Sequence, residues 1–147
     1  MSLIPVHVLT GFLGAGKTAL LQTILQEPAF ARTAVIINEF GEIALDGALV
    51  LHGQEQIVET TSGCLCCTIR GDIRATLLDL LERRRDGTVL PFERVVVETT
   101  GLADPAPVIH TLMTDPALAT ACALGGVITV VDAVHGELNL ERYEESV

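Results

Sequence analysis

The stretch LIPVHVLT-GFLGAGKT, residues 3–18, decides the fold of this 147-residue chain. Its first half is an apolar run, which is typical of a β-strand buried on both faces of a parallel sheet. Its second half, Gly11 to Thr18, fits the pattern G-x-x-x-x-G-K-[ST]. In that pattern the glycines let backbone N–H groups turn toward a phosphate, and the following helix brings its positive end to the anion. The stretch therefore predicts a nucleotide-binding loop between a strand and a helix.

The lysine and the threonine of this loop have separate expected roles. Lys17 is the only lysine of the chain, and the lysine of such a loop reaches the β- and γ-phosphates of the nucleotide. The hydroxyl of Thr18 is expected to hold Mg²⁺. The residues predicted to bind the nucleotide are Gly11, Gly14, Ala15, Gly16, Lys17 and Thr18.

Apolar runs and helical periods alternate along the rest of the chain. Four further strands are predicted at residues 33–38, 56–60, 94–99 and 125–133. A helix is predicted directly after the phosphate loop, and two more at residues 72–85 and 105–113. This order predicts an α/β fold in which helices flank a doubly wound, mainly parallel sheet. The segment 39–56 shows no period and is expected to form a long loop.

Composition and charge exclude several classes of protein. The net charge is −10, and the nine basic residues form one small cluster and scattered arginines, so nucleic acid is not an expected partner. Although 49% of the residues are apolar, no run reaches the ~18 residues of a membrane span. The opening MSLIPVHVLT lacks the basic segment of a signal peptide. We therefore expect a protein of the reducing cytoplasm, where structural disulfides are rare.

An acid at the end of a buried strand is expected to complete a magnesium site. Glu98 ends the run RVVVE and precedes Gly101, a spacing similar to the D-x-x-G sensor of GTPases. Asp132, at the end of VITVVD, is the alternative. We favour Glu98 because of the glycine, and we expect Asp132 to cap a turn. A first switch loop is expected after the second strand, where NEFGEIALDG contains Glu39 and Asp46.

Three of the four cysteines lie in TTSGCLCCTI, residues 60–69, which we interpret as an exposed turn. A disulfide between Cys66 and Cys67 would need a strained ring, and a reducing compartment opposes it. Three uses remain open: a redox pair of Cys64 and Cys67, burial as small apolar residues, and a metal site. We favour the metal site, because a C-x-C-C turn can bring two or three thiolates to a soft cation such as Zn²⁺ or Co²⁺. An incomplete ligand shell would suit a site that transfers its metal.

Together, GFLGAGKT, NEFGEI, GCLCC and ETTGLADP resemble the motifs of the CobW-like GTPases over nearly the whole chain. These are metallochaperones related to the GTPases that mature hydrogenase and urease. The resemblance implies a P-loop domain, Mg²⁺-dependent GTP hydrolysis and a transition-metal site. Glu98 would take the Walker B role, and Asp46 would belong to the first switch. The metal ligands implied by the resemblance are Cys64, Cys66 and Cys67, with Glu39 as a candidate fourth.

The chain departs from the family pattern in two respects, of which one, Ala44 where many relatives have Gly or Ser, is expected to be harmless. Members continue into an [NT]-K-x-D loop that reads guanine and then into a smaller C-terminal domain. A chain whose only lysine is Lys17 cannot contain that loop, so residues 1–147 are expected to be a P-loop GTPase domain from a longer protein. The choice of GTP over ATP is implied by the resemblance alone. An uncovered apolar edge of the sheet could join two copies in a homodimer.

The resulting hypothesis is a slow GTPase that binds zinc or cobalt and delivers it to a client metalloprotein under nucleotide control. Lys17 and Mg²⁺ would neutralise the developing charge, and an acid of the first switch would orient the attacking water. Slow turnover is expected because no arginine finger is evident. Two alternatives stay open. One is a P-loop ATPase or kinase with structural cysteines, and the other is a zinc-storage or redox-sensing module.

Overall fold

The computed structural model describes residues 2–11, 16–38, 56–59, 65–69, 72–99 and 105–134, with backbone alone at 38, 56–59 and 66–69. Its strands are β1 (Ile4–Thr10), β2 (Thr33–Asn38), β3 (Gln56–Glu59), β4 (Leu65–Ile69), β5 (Arg94–Thr99) and β6 (Cys122–Thr129). Its helices are α1 (Lys17–Leu25), α2 (Ile73–Asp86), α3 (Ala106–Thr114) and α4 (Pro116–Ala119), and Pro28–Phe30 form a short 3₁₀ helix.

The six strands form one sheet in the order β3-β4-β2-β5-β1-β6. Strands β4, β2, β5, β1 and β6 are parallel to one another, and β3 runs antiparallel to β4 at the edge. Helices connect β1 to β2, β4 to β5 and β5 to β6, as parallel strands require. The predicted mainly parallel sheet with flanking helices is confirmed.

Alternate residues of the central strands pack against helices on opposite faces of the sheet. On one face, Val6, Ile36 and Val97 are buried with side chains of α2, α3 and α4. On the other face, Leu9 packs with Leu21 of α1. Full burial of a side chain of this size contributes roughly 1.5–3 kcal/mol to stability. The two cores therefore fix the carboxyl ends of β1 and β5 next to each other, at the edge where α1 begins.

The residues at both ends of helix α2 stabilise it. Asp72 caps its first turn by accepting a 2.9 Å hydrogen bond from the Arg74 N–H. Gly87, with φ +75°, closes its last turn, which contains three arginines at the negative end of the helix. With 14 residues, α2 is the longest described helix. No helix in the described ranges combines the length and apolar character that crossing a membrane requires.

Two elements of the sheet differ from the prediction. The placement of Cys66 and Cys67 in an exposed turn is wrong, because both belong to β4, which pairs with β2 on one side and β3 on the other. The polar residues and glycine that suggested a turn precede this strand. Strand β6 begins at Cys122, before the predicted 125, and ends at Thr129. Its glycines lie within the strand, at an irregularity where the register with β1 shifts between Val6 and His7.

Strand β6 forms an edge of the described sheet and is only partly covered. Val127 and Ile128 are 44% and 47% exposed, although they are neighbours on a strand and so belong to opposite faces. An edge with exposed apolar residues and no charge can pair with another strand. The homodimer expected from the sequence is not tested by this observation and stays a prediction.

Candidate nucleotide site

The phosphate loop leaves the sheet at Gly11, directly after β1. The φ of Gly11 is +144°, and a Cβ atom there would lie 2.4 Å from the carbonyl oxygen of Val130. The Val130 N–H donates a 2.8 Å hydrogen bond to the Thr10 carbonyl, so the two chains run close together here. The first glycine of the motif is therefore required by the close approach of the chain that leaves β6.

The loop returns at Gly16, which is the N-cap of α1 and has φ +97°. Among the described residues no side chain caps this helix, and its first turn contains no acidic residue. The first N–H groups of a helix have no acceptor within the helix, and they carry the positive end of its dipole. The N–H groups at the start of α1 can therefore donate hydrogen bonds to an anion.

The side chain of Lys17 folds back over the start of the loop. It is 6% exposed, and its ammonium donates a hydrogen bond to the carbonyl oxygen of Gly11. Burial lowers the pKa of Lys17 below that of an exposed lysine, and the nearby carboxylate of Glu98 opposes this shift. A buried ammonium whose hydrogen-bond acceptor is a neutral carbonyl is well suited to exchange that acceptor for a charged phosphate oxygen.

Glu98 lies at the carboxyl end of β5, as expected for the acid of the site. It is 2% exposed, and its backbone is in register with Leu9 of β1. The hydroxyl of Thr18 donates a hydrogen bond of 3.2 Å to Oε1 of Glu98. The structure thus brings together Lys17, Thr18 and Glu98 from two elements that are 80 residues apart in the chain.

Asp132, the alternative acid, accepts a hydrogen bond within a local turn. Its Oδ1 accepts a hydrogen bond of 2.8 Å from the N–H of Val134, two residues further on. This is the local hydrogen bond by which aspartate stabilises a turn. Asp132 therefore has the capping role that its sequence position predicted.

The predicted metal ligands are only partly described. Cys64 and Glu39 lie outside the described residues, and so do the predicted nucleotide-site residues Gly14, Ala15, Asp46 and Gly101. No group of three metal-binding side chains is found within the ranges that the structure describes. The cysteine hypothesis therefore depends on the position of β4 in the sheet.

Strand β4 lies two strands away from β5. The backbone of Thr68 is level with Ile37 of β2, and Ile37 is level with Glu98. With strands spaced by ~4.8 Å and residues by ~3.3 Å, the backbone of Cys67 lies about 10 Å from that of Glu98. Strand β4, which contains Cys66 and Cys67, therefore passes close to Glu98.

Residues 5–146 match the CobW/HypB/UreG nucleotide-binding domain. The chain belongs to this family. It is 44% identical over 143 residues to the zinc chaperone YjiA of Escherichia coli (strain K12). The aligned region covers 97% of this chain and 45% of that protein. The resemblance drawn from the motifs is thereby confirmed.

Solved structures agree with this family assignment. The crystal structure of the Zn(II)-bound YjiA GTPase from E. coli matches with a TM-score of 0.80 and 43% identity, over 99% of this chain and 46% of that one. A Zn(II)-bound triple mutant of the same GTPase, with one glutamate and two cysteines replaced by alanine, matches with a TM-score of 0.81 and 42% identity, over the same shares. The chain spans less than half the length of these relatives.

Two contacts in this CobW/HypB/UreG domain were missed by the sequence analysis. Thr99 donates a 3.3 Å hydrogen bond from its hydroxyl to the carbonyl of Leu9, and Val130 holds Thr10 as described above. Both contacts end on backbone atoms of β1, which any residue could provide. A motif defined by side chains therefore contains no signal for either contact.

Proposed function

We propose that this domain is the nucleotide-binding part of a Mg²⁺-dependent, GTP-hydrolysing metallochaperone. It would bind a transition metal, zinc or cobalt, at the C-x-C-C segment and deliver it to a client metalloprotein. The observation that carries the proposal is the meeting of Lys17, Thr18 and Glu98 at the start of α1. Relatives named as a zinc chaperone and as a zinc-bound GTPase support it.

Phosphate binding would use the loop and the start of α1. The Lys17 ammonium would exchange the Gly11 carbonyl for oxygens of the β- and γ-phosphates, gaining an oppositely charged partner in a buried position. The N–H groups at the start of α1 would donate to the same anion, together with the loop residues Gly14, Ala15 and Gly16. Electrostatic stabilisation of the transferring phosphoryl group is the largest contribution expected from this arrangement.

The side-chain oxygen atoms of Thr18 and Glu98, near Lys17, are suitable ligands for Mg²⁺. Thr18 and Glu98 offer a hydroxyl and a carboxylate oxygen 3.2 Å apart, and Mg²⁺ prefers oxygen ligands. Mg²⁺ held by these two residues would supply positive charge beside the phosphates as the bond to the γ-phosphate breaks. The deep burial of Glu98 would keep water away from its carboxylate, which strengthens its electrostatic interactions.

The remaining roles rest on motif positions. We propose that the N–H of Gly101 responds to the γ-phosphate, and that Asp46 in the first switch helps to orient the attacking water. The preference for guanine rests on the GTPase relative. Without an arginine supplied by the site, hydrolysis by the isolated protein should be slow.

The metal site would be controlled by the nucleotide through the sheet. Cys64, Cys66 and Cys67, with Glu39 as a fourth ligand, would offer soft thiolates to zinc or cobalt. By the strand register, the backbones of Cys67 and Glu98 lie about 10 Å apart. This short separation supports coupling between the two sites. An energetic coupling of about 1–3 kcal/mol would change metal affinity about 5- to 150-fold between nucleotide states, enough to separate loading from release.

Phosphate release from Mg-GTP by the whole protein tests the enzymatic half of the proposal. Lys17→Ala and Glu98→Gln should each reduce the rate about 10²- to 10³-fold. Arg83→Ala is the matched control, because Arg83 is half exposed and pairs with Asp79 on the surface of α2. It should keep the wild-type rate. An unchanged rate in Lys17→Ala, or a faster rate with ATP than with GTP, would contradict the proposal.

A thiolate-specific signal tests the metal half. Retained zinc is not diagnostic, because the relative with two cysteines replaced is still Zn(II)-bound. Under nitrogen, Co²⁺ bound to thiolates gives a charge-transfer absorbance that oxygen and nitrogen ligands do not give. The band should form with the reduced protein and be lost in the Cys66→Ser, Cys67→Ser double variant. A band that survives in the double variant, or none in either protein, would remove the C-x-C-C segment from the proposal.

A further inference from the structure

Thr99 is the last residue of β5 and directly follows Glu98. Its side chain is 2% exposed, and its hydroxyl donates a 3.3 Å hydrogen bond to the carbonyl of Leu9, 90 positions earlier in the chain. The pattern E-x-x-G leaves this position open to any residue. A buried threonine whose hydroxyl reaches another strand is more specific than that pattern requires.

The hydrogen bond stands where the backbone pairing of β5 becomes one-sided. Toward β2 the paired register continues to Thr99, which is level with Asn38. Toward β1 it stops one residue earlier, at the pair of Leu9 and Glu98, although β1 continues to Thr10, which pairs with Thr129 of β6. Within the described residues, the Thr99 hydroxyl thus adds a side-chain hydrogen bond between the end of β5 and the strand that carries the loop.

The stem of the phosphate loop, which is formed by Leu9 and Thr10 at the end of β1, is held from both sides. Thr99 of β5 holds the Leu9 carbonyl, and Val130, after β6, donates to the Thr10 carbonyl on the other side. The Thr99 hydrogen bond adds to the backbone pairing of β5 with β1, which places Glu98 beside the strand that leads to the loop and α1. The 3.2 Å contact of Glu98 with Thr18 depends on that junction, because Thr18 follows the loop that the stem carries.

We propose that Thr99 is a positioning residue, which keeps the Glu98 carboxylate in reach of Thr18 and so tunes the affinity of this oxygen pair for Mg²⁺. The inference rests on the proposed nucleotide function. It concerns the cation more than the phosphates, because in the described residues the Thr99 hydroxyl is bonded to Leu9, whereas the Lys17 ammonium is bonded to Gly11. Loss of one buried, neutral hydrogen bond is expected to change Mg²⁺ affinity about three- to tenfold.

Thr99→Val and Thr99→Ser are the matched pair that tests it. Valine keeps the branched shape and removes the hydroxyl, whereas serine keeps the hydroxyl. The binding of a fluorescent GDP to the whole protein is measured in EDTA and over a range of Mg²⁺ concentrations. Thr99→Val should raise the Mg²⁺ concentration for half-maximal enhancement about three- to tenfold and leave affinity in EDTA within about twofold. Thr99→Ser should follow the wild type.

The other outcomes are distinguishable. Equal Mg²⁺ dependence in Thr99→Val and the wild type would overturn the inference, and so would equal weakening with and without Mg²⁺, which indicates a merely structural role. Failure of the wild type to bind nucleotide would instead defeat the proposed function. If Thr99→Val does not fold, as judged by circular dichroism, Thr99→Ala is measured against Thr99→Ser, with the same two results required.

Discussion

Replacing Gly11 with alanine tests how closely the phosphate loop packs against the chain that leaves β6. The new Cβ would lie 2.4 Å from the Val130 carbonyl oxygen, a backbone atom that cannot rotate away. Relief requires Val130 to move, which strains its 2.8 Å hydrogen bond to Thr10. Backbone strain of ~1–3 kcal/mol and a weakened hydrogen bond of about 1 kcal/mol give an expected loss of about 2–4 kcal/mol in the free energy of unfolding.

Two further glycines separate this clash from backbone strain alone. Gly16 and Gly87 have φ values of +97° and +75°, and a Cβ at either would meet no heavy atom of the described residues within 4 Å. Alanine at each should therefore cost only about 1 kcal/mol. Gly87 closes α2, far in sequence from the phosphate loop. Gly87→Ala should leave nucleotide affinity unchanged, whereas Gly11→Ala should weaken it.

Urea unfolding of the three variants without nucleotide measures the stability difference. Far-UV circular dichroism is the suitable probe, because the chain has no tryptophan. Affinity for a fluorescent GDP is measured separately on the folded proteins. The reasoning is refuted if Gly11→Ala proves as stable as Gly87→Ala, since the close contact with Val130 would then be absent.

Three further predictions concern burial and charge. In protein labelled with ¹³C at the lysine Cε, the Lys17 resonance is identified by its absence from Lys17→Ala; since burial lowers the pKa of Lys17, its titration should lie below that of an exposed lysine and move up when nucleotide binds. Asp115→Asn should destabilise the fold at neutral pH, because the hydrogen bond from Arg74 lowers the pKa of Asp115. That stabilisation is present above the unfolded-state pKa and is lost as the pH falls through the folded-state pKa, so the urea midpoints should converge in acid. Thr33→Val should raise the urea midpoint by a stabilisation of about 1 kcal/mol and Thr33→Ser should not, because the buried Thr33 Oγ1 lacks a hydrogen-bond partner among the described residues.

Each of these has a clear opposite result. A Lys17 titration at the value of an exposed lysine would mean that its ammonium is not buried. A constant gap between Asp115→Asn and the wild type at every pH would mean that the carboxylate charge does not stabilise the fold. A lower urea midpoint in Thr33→Val would mean that the hydroxyl is hydrogen-bonded after all.

Most of the sheet could be predicted because its central strands are buried on both faces. Residues 33–38 and 94–99 are apolar runs too short for helices, and they form β2 and β5 as expected. Strand β4 could not be predicted in this way. Its residues Leu65–Ile69 include two cysteines and follow a glycine, and their strand state depends on pairing with β2 and β3.

Some features of the candidate site could likewise be predicted from the sequence, and others could not. Glu98 could be preferred to Asp132 as the candidate acid because a glycine, Gly101, follows it three residues later. The contacts of Thr99 and Val130 could not be foreseen, because their partners are backbone atoms. Contacts of this kind are fixed by how strands come together, which the local sequence does not record.

The nucleotide dependence of cobalt binding shows whether the bound nucleotide controls the metal site. Reduced protein under nitrogen is titrated with Co²⁺ in three states: without nucleotide, with Mg-GDP, and with Mg and a non-hydrolysable GTP analogue. A thiolate-to-cobalt band is expected, and the cobalt affinity that it reports should differ about 5- to 150-fold between the GDP and GTP-analogue states. The Lys17→Ala variant should abolish that difference and keep the band. Equal cobalt affinity in all three states of the wild type would contradict the claim that nucleotide controls the metal site.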